Sequence, residues 1–125
     1  MPSSKDSRYL ALAAKIAEKS QLPVRVGAVI VKGSKILAVG VNRTSGKLPS
    51  TPRGKKVYYT LHAEIDALLG VENVRRSVVY VQALTSTGAL CRSSRPCDLC
   101  REILATRGVR AFIYYERGDI VREGI

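Results

Sequence analysis

Two apolar segments joined by a four-residue turn constrain the fold of this chain more than any other feature. Residues 24–31 and 36–41 are almost continuously apolar, and the Lys-Gly-Ser-Lys segment at 32–35 has the composition of a turn. The pattern predicts a β-hairpin. Because neither strand alternates apolar with polar residues, neither face of the sheet suits contact with water, and helices are expected to cover both faces.

The remaining sequence supplies those helices and two more strands. Apolar residues at helical spacing predict three helices, over residues 6–20, 61–69 and 97–106. Sheet-forming runs predict strands at 77–84 and 109–115. We therefore predict an α/β fold with three α/β/α layers around a mixed central sheet, and we expect the whole chain to form a single domain.

Three segments depart from this regular pattern. Residues 42–60 combine Gly, Pro, Ser and basic residues with no acidic residue, which indicates a long cationic loop, either functional or a solvated connector. Residues 85–88, Thr-Ser-Thr-Gly, predict a turn, and residues 89–94 lead back as the second arm of another hairpin. The tail from Gly118 is consistent with a short edge strand.

The composition narrows the partners and compartments that suit the chain. The net charge of +11 favours anionic partners such as nucleotides or nucleic acid, although charge of this size also serves solubility alone. No apolar run approaches the roughly 20 residues of a membrane-spanning helix, and the first residues lack the pattern of a signal peptide. Three cysteines argue against a disulfide framework. We expect a cytoplasmic protein with reduced thiols and no membrane partner.

Two short motifs carry the candidate chemistry. His62-Ala-Glu64 opens the second predicted helix, and Pro96-Cys-Asp-Leu-Cys100 opens the third. Because a helix N-terminus favours thiolates, the two sulfurs of Cys97 and Cys100 suit one zinc ion. With His62 they make a three-ligand site whose fourth tetrahedral position stays open, as catalytic zinc requires. Glu64 lies about 200° around the helix from His62, so it is free to act as a base.

Each motif alone has a simpler explanation. A lone Cys-x-x-Cys is often a structural zinc site or a redox pair, and a single histidine is often an ordinary surface or core residue. A structural zinc site needs a fourth protein ligand, for which Cys91 is the one spare cysteine. A half-buried position in a strand explains Cys91 better. The two motifs in this order, each at the start of a predicted helix, favour the catalytic interpretation.

Together the motifs match the His-x-Glu and Pro-Cys-x-x-Cys signature of zinc deaminases, and from about Tyr9 to Tyr115 the chain resembles the cytidine and deoxycytidylate deaminase superfamily. Residues 26–31 resemble the family's first strand, and Gly40-Val-Asn-Arg43 resembles the Gly-x-Asn turn after its second strand. The resemblance implies that zinc lowers the pKa of a water molecule, that Glu64 accepts its proton, and that hydroxide attacks the amine-bearing ring carbon.

The resemblance also implies a substrate pocket and a homo-oligomer. The residues that we predict to bind substrate are Asn42, Arg43, Ala63, Arg95 and Pro96. Two features point to different branches of the superfamily, since Asn42-Arg43 resembles the tRNA and base deaminases and Tyr114-Tyr115-Glu116 resembles the deoxycytidylate branch. The segment at 85–95 is an insertion relative to many members, and it is expected to reshape one wall of the pocket.

These observations favour a free cytosine nucleoside or nucleotide, with deoxycytidylate as the first substrate to test. The candidate phosphate ligands are Arg43, Arg53, Lys55, Lys56, Arg92 and Arg95. A second hypothesis keeps the enzyme but makes cytosine or adenine in single-stranded RNA or DNA its substrate, as the charge allows. A third is a non-catalytic, zinc-stabilised nucleic-acid-binding module, which predicts four protein ligands and no effect of Glu64→Gln.

Overall fold

The computed structural model describes residues 4–47 and 58–125. Three helices and seven strands lie in these ranges. The helices are α1 (Ser4–Ala17), α2 (Ala63–Leu69) and α3 (Asp98–Thr106). The strands are β1 (Arg25–Lys32), β2 (Lys35–Val41), β3 (Arg43–Lys47), β4 (Tyr58–Leu61), β5 (Val78–Leu84), β6 (Ala111–Glu116) and β7 (Asp119–Gly124). No helix in these ranges is long and apolar enough to cross a membrane.

Five of the strands form a mixed sheet in the order β2-β1-β5-β6-β7. The pair β5 and β6 is parallel, and the other neighbours are antiparallel. The predicted hairpin is confirmed as β1 and β2, with Gly33 in the left-handed conformation at its turn (φ 63°). The tail forms the outer strand β7, as its sequence indicated.

Helices cover both faces of this sheet, which confirms the three-layer α/β prediction. Because successive side chains of a strand point to opposite faces, Val29 and Val31 of β1 pack under α1, whereas Ala28 and Ile30 pack on the side of α2 and α3. All four side chains are fully buried. The continuous apolar sequence of β1 is therefore explained by two separate cores, one on each face.

Two glycines set how closely the helices approach the sheet. A β-carbon at Gly27 would overlap the backbone of Ala13 in α1. A β-carbon at Gly40 would overlap the carbonyl oxygen of Ala63 and the amide nitrogen of Ala67 in α2. Each helix backbone therefore rests directly on strand backbone, and Gly40 fixes the position of the helix that begins after His62.

The segment at 42–60 is not wholly a loop, which corrects the sequence prediction. Strands β3 and β4 pair antiparallel as a separate two-stranded sheet. The aromatic and β-branched residues at 58–60 suit a strand, and they were obscured by the glycines, prolines and cations before them. The predicted helix at 61–69 accordingly starts later, at Ala63. Arg53, Lys55 and Lys56, which we predicted as phosphate ligands, lie outside the described residues.

The predicted second hairpin at 85–95 is confirmed only over its first residues. The turn exists, with Gly88 in the left-handed conformation and its N–H bonded to the carbonyl of Thr85 (2.9 Å). The arm after it makes only single bridges, Leu84 to Leu90 and Ser93 to Glu116. Because β6 pairs with β5 only as far as Val81, the arm has just the end of β5 to pair with, where the amide of Cys91 donates to the carbonyl of Ala83 (2.9 Å).

Candidate metal centre and active-site cavity

The starts of α2 and α3 carry the three residues that we predicted as metal ligands. His62 is the N-cap residue of α2, and Cys97 is the N-cap residue of α3. The sulfur of Cys97 accepts a hydrogen bond from the amide of Cys100 in the first turn of α3 (3.4 Å). Free amides and the positive end of a helix dipole stabilise a thiolate at this position. The two helix starts therefore present their ligands to one point.

The ligand atoms converge closely. Nδ1 of His62 lies 3.2 Å from Sγ of Cys100 and 3.5 Å from Sγ of Cys97. All three atoms lie within 4.8 Å of one another. Zinc bonded tetrahedrally to nitrogen and sulfur at ordinary lengths separates those atoms by about 3.6 Å. The donor set and its spacing therefore fit zinc, with Nδ1 of the imidazole as the ligand atom and the ring proton on Nε2.

Cys91 does not join this cluster. The group of potential ligands found in the described ranges contains His62, Cys97 and Cys100 only. Cys91 is half-buried, and its amide donates to the carbonyl of Ala83 (2.9 Å). Three protein ligands leave one tetrahedral position for a water molecule or a substrate, which distinguishes a catalytic zinc site from a closed structural one.

Glu64 lies in the first turn of α2 and is 4% exposed. Burial raises the pKa of its carboxyl group above the ordinary value of 4.5, while its own backbone N–H, the charge of His62 and a hydrogen bond with Cys100 lower it. Burial also raises the pKa of the Cys100 thiol, and the Glu64 charge adds to that shift. Two buried acids this close are stabilised as anions by a bound dication, so their chemistry also fits a metal.

A cavity of about 260 Å³ opens beside the three ligands. Its walls combine small apolar side chains with a few polar groups: Val24, Val26, Asn42, His62, Ala63, Glu64, Val81, Ala83, Ser93, Ser94, Arg95, Pro96 and Cys97. The volume lies near the lower end of the ~300–1,000 Å³ common for small-molecule sites. It brings together four of the five predicted substrate residues with Glu64, the predicted base, and two of the three predicted ligands.

Asn42 lies between β2 and β3 and is bound to the start of β1 where that segment borders the cavity. Its side-chain oxygen accepts from the amide of Val26 (2.8 Å), and its side-chain nitrogen donates to the carbonyl of Val24 (2.7 Å). An amide side chain offers two N–H groups and two lone pairs. One of each is used here, so Asn42 holds the cavity wall in place and keeps one N–H and one lone pair for a ligand.

Arg43 does not border the cavity that the other four predicted substrate residues share. Its Nε donates to Oδ1 of Asp66 (2.8 Å), and the side chain, which is 52% exposed, borders a different depression with Lys19 and Ser20. Asp66 also accepts from the amide of Val41 (3.0 Å). The pair therefore ties the end of β2 to α2. Asn42 borders this second depression as well as the cavity, so it lies between Arg43 and the other predicted substrate residues.

Arg95 is held at the cavity by two carboxylates, one of which is distant in the sequence. Its guanidinium lies 3.7 Å from the carboxylate of Glu123 in β7 and 3.6 Å from that of Asp98 in α3. Glu123 also accepts hydrogen bonds from Arg101 and from the hydroxyl of Tyr114 (3.0 Å). The carboxylate of Glu123 thus fixes two arginines, and the outer strand β7 contributes to the site through it.

Ser94 is a cavity residue that sequence reasoning missed. Its hydroxyl donates to the carbonyl of Val81 (2.8 Å) and accepts from the amide of Tyr115 (2.8 Å). These bonds join the segment before Arg95 to two sheet strands and make a firm wall from the inserted residues. A serine in a run of Ser and Arg residues carries no signal for such contacts.

Comparison with protein-family models gives one match that spans most of the chain. Residues 3–116 match the model of the cytidine and deoxycytidylate deaminase zinc-binding region. The His62, Cys97 and Cys100 cluster lies in that range and can bind zinc. The cofactor of the chain is therefore zinc. A search of curated proteins found no match.

Solved structures with the same fold cover most of the chain. The dCMP deaminase of the cyanophage S-TIM5 in apo form is 25% identical, with a TM-score of 0.60 over 90% of this chain and 82% of the phage chain. The same enzyme in complex with dCMP and dUMP is 24% identical, with a TM-score of 0.57 over 90% and 81%. Cytidine deaminase from Mycobacterium leprae, 18% identical, shares the fold with a TM-score of 0.55 over 90% and 88%.

Proposed function

This chain belongs to the cytidine and deoxycytidylate deaminase family, and we propose that it hydrolyses a cytosine nucleotide of the deoxycytidylate type to the uracil product and ammonia. The observation that carries the proposal is the convergence of three ligand atoms beside a buried glutamate at the wall of a cavity. The phage enzyme that it resembles was solved with dCMP and dUMP. That likeness supports a nucleotide as the substrate.

The ligands in this proposal are Nδ1 of His62 and the sulfurs of Cys97 and Cys100. When bound there, zinc supplies a Lewis acid that activates water at neutral pH. The two helix starts hold the two sulfurs and the imidazole in place.

Glu64 is the proton carrier. Its carboxyl group is buried beside the predicted ligands in the first turn of α2, where the carboxylate can take a proton from a water molecule and pass it on. The carboxylate first accepts a proton from water and delivers it to the ring nitrogen. It then takes the remaining proton from the hydroxyl group formed at the ring carbon and passes it to the amine, which leaves as ammonia. One carbon–oxygen bond forms at the ring carbon, one carbon–nitrogen bond breaks, and ammonia leaves.

The cavity walls position the base. Val26 and Val81 offer apolar contact to a pyrimidine ring, and Asn42 keeps one N–H and one lone pair for the sugar or base. The backbone at Ala63 and the ring of Pro96 border the same space. A pocket of this size, with few polar groups, suits one nucleotide whose phosphate remains at the mouth.

We assign the phosphate to Arg95 rather than to Arg43. Arg95 borders the cavity with 39% of its side chain exposed, whereas Arg43 is bound to Asp66 outside it. Because Glu123 orients Arg95, Glu123→Gln is expected to raise KM for the monophosphate several-fold and to leave kcat nearly unchanged. Steady-state kinetics with deoxycytidine as the control measures this, since the nucleoside has no phosphate and its KM should not change. Equal effects on both substrates would contradict the assignment.

We extend the proposal to the domain organisation, assembly and cellular compartment of the protein. The chain works as a single deaminase domain in the cytoplasm, where its three free cysteines suit a reducing environment. It assembles as a homo-oligomer, as resemblance to the family implies. The outer strand β2 supports this, because its Ile36 and Val39 are 43% and 49% exposed. Sedimentation at working concentration measures the assembly.

A second candidate substrate is cytosine or adenine in single-stranded RNA or DNA. The net charge of +11 and the open mouth of the cavity favour it. Its distinguishing property is an affinity for oligonucleotides that falls steeply with salt and competes with the mononucleotide. The non-catalytic zinc module is less favoured, because the cluster among the described residues has three protein ligands rather than four.

The experiment is ammonia release by the zinc-loaded protein. The substrates are cytidine, deoxycytidine, their mono- and triphosphates, adenosine, guanine and a mixed single-stranded oligonucleotide. Glu64→Gln is the test variant, and Glu72→Gln, which alters an exposed carboxylate beyond the end of the same helix, is the matched control. Turnover of deoxycytidylate by the wild type and by Glu72→Gln but not by Glu64→Gln supports the proposal. Turnover of the oligonucleotide alone would contradict the proposal and favour the second candidate substrate.

A further inference from the structure

Six cations collect at the end of the sheet that is remote from the cavity. Lys32 and Lys35 face each other across the β1–β2 turn. Val31 of β1 pairs with Val78, so Lys32 lies beside the start of β5. The amide of Arg110 donates to the carbonyl of Ser77 (2.8 Å), which brings the start of β6 to the same edge.

Two tight backbone contacts add the remaining members. The amide of Arg76, in a left-handed conformation (φ 64°), donates to the carbonyl of Gly108 (2.8 Å). A β-carbon at Gly108 would lie 3.0 Å from the side chain of Arg75, so the loops before β5 and β6 are packed together. We name this surface the basic end; its residues are Lys32, Lys35, Arg75, Arg76, Arg107 and Arg110.

All six side chains of the basic end are exposed. The ion pairs found in the described ranges involve Arg43, Arg95, Arg101 and Arg122 and none of these six. One carboxylate, Glu72, belongs to the same loop as Arg75 and Arg76. The positive charge of the basic end is therefore hardly compensated, and its field is available to an anion with several charges.

The basic end is separate from the catalytic cavity. The cavity is bordered by Val81 and Ala83 in the second half of β5, whereas the basic end surrounds the start of that strand. At about 3.3 Å per residue, Val81 and Ala83 lie roughly 13–20 Å from Ser77, whose carbonyl binds the amide of Arg110 in the basic end. One mononucleotide cannot contact both.

We propose that the basic end binds the phosphate backbone of a nucleic acid, at a site distinct from the one that holds the base to be deaminated. Four of the six cations are arginines, whose guanidinium groups match phosphate oxygens in pairs. The aromatic residues on the neighbouring strands, Tyr80 and Phe112, are buried and offer no surface for stacking. Contact is therefore with phosphates rather than with bases and is independent of sequence.

An anionic membrane is the alternative polyanion. Membrane surface binding requires an apolar face that enters the lipid, usually on an amphipathic helix. The basic end consists of strand ends and turns, and the apolar face of the nearby helix α1 is packed against the sheet. These features favour nucleic acid.

The test is binding of a short mixed-sequence DNA duplex to the zinc-loaded protein at several salt concentrations. A duplex keeps its bases stacked, so the cavity contributes little to its binding. Arg107→Gln combined with Arg110→Gln is expected to lower the affinity at least about tenfold at ~0.1 M salt and to reduce the slope of log K against log salt by about 2. Lys15→Gln combined with Lys19→Gln removes the same charge from exposed positions at and beyond the end of α1 and should change the slope much less.

Two further measurements separate this proposal from the deaminase function. Excess deoxycytidylate should not displace the duplex, and both double variants should release ammonia from the small substrate at the wild-type rate. Equal loss of affinity in the two double variants would overturn the proposal, because the charge would then act diffusely. Displacement by the mononucleotide, or tighter binding to vesicles of anionic lipid than to the duplex, would also overturn it.

Discussion

The two faces of the sheet are built alike but serve different ends. On each face a helix backbone packs directly against a strand at a glycine. The glycine is Gly27 for α1 and Gly40 for α2. Each also buries one carboxylate. Asp6 accepts a hydrogen bond from the hydroxyl of Tyr80 (2.7 Å) within the α1 core, whereas Glu64 contacts the ligand cluster and the cavity. The same architecture therefore supports stability on one face and reactive groups on the other.

The largest difference between the two faces is expected in kcat, when the isosteric changes Glu64→Gln and Asp6→Asn are compared. Glu64→Gln removes the proposed proton carrier and should reduce kcat by about 10²–10⁴-fold. Asp6→Asn weakens a charge-assisted hydrogen bond to Tyr80 and should cost about 1–2 kcal/mol of unfolding free energy. Ammonia release and denaturant titration of both zinc-loaded variants measure this. A loss of kcat in Asp6→Asn without loss of folded protein would mean that the α1 face also contributes to activity.

The two glycine changes are expected to have intermediate effects. Gly27→Ala and Gly40→Ala each force a helix away from the sheet, at a cost of about 1–3 kcal/mol in stability. Only Gly40→Ala displaces the backbone at Ala63, next to His62 and Glu64, so it alone should weaken zinc binding. Competition with a chelator of known affinity measures zinc binding in both variants. Equal zinc affinities would show that the position of α2 does not control the ligand geometry.

The sequence determined the main layers well because the apolar pattern is local. The hairpin and all three helices follow from periodicity, and the ligand cluster follows from two motifs that each lie at a helix start. The separation of Arg43 from the cavity was not predictable, because it depends on a hydrogen bond to Asp66 in another element. The hold of Glu123 on Arg95 joins residues 28 positions apart, and nothing in the spacing of the sequence indicates it.

The smallest expected effect is a difference in pH dependence between the two carboxylates in zinc-free protein. Burial raises the pKa of Glu64 in the folded state above the ordinary value of 4.5 that applies when the chain is unfolded. Between those two values the folded state retains a proton that the unfolded state releases, so the free energy of unfolding falls as the pH rises. Glu64→Gln lacks this dependence, and its stability relative to the wild type should therefore increase with pH.

Denaturant titrations from about pH 4 to about pH 8 measure this trend, below the range in which cysteine thiols ordinarily ionise. Asp6→Asn is the matched control, and it should keep the slope that Glu64 gives the wild type, since Glu64 is unchanged in it. Parallel curves for the wild type and Glu64→Gln would mean that Glu64 ionises as easily when folded as when unfolded.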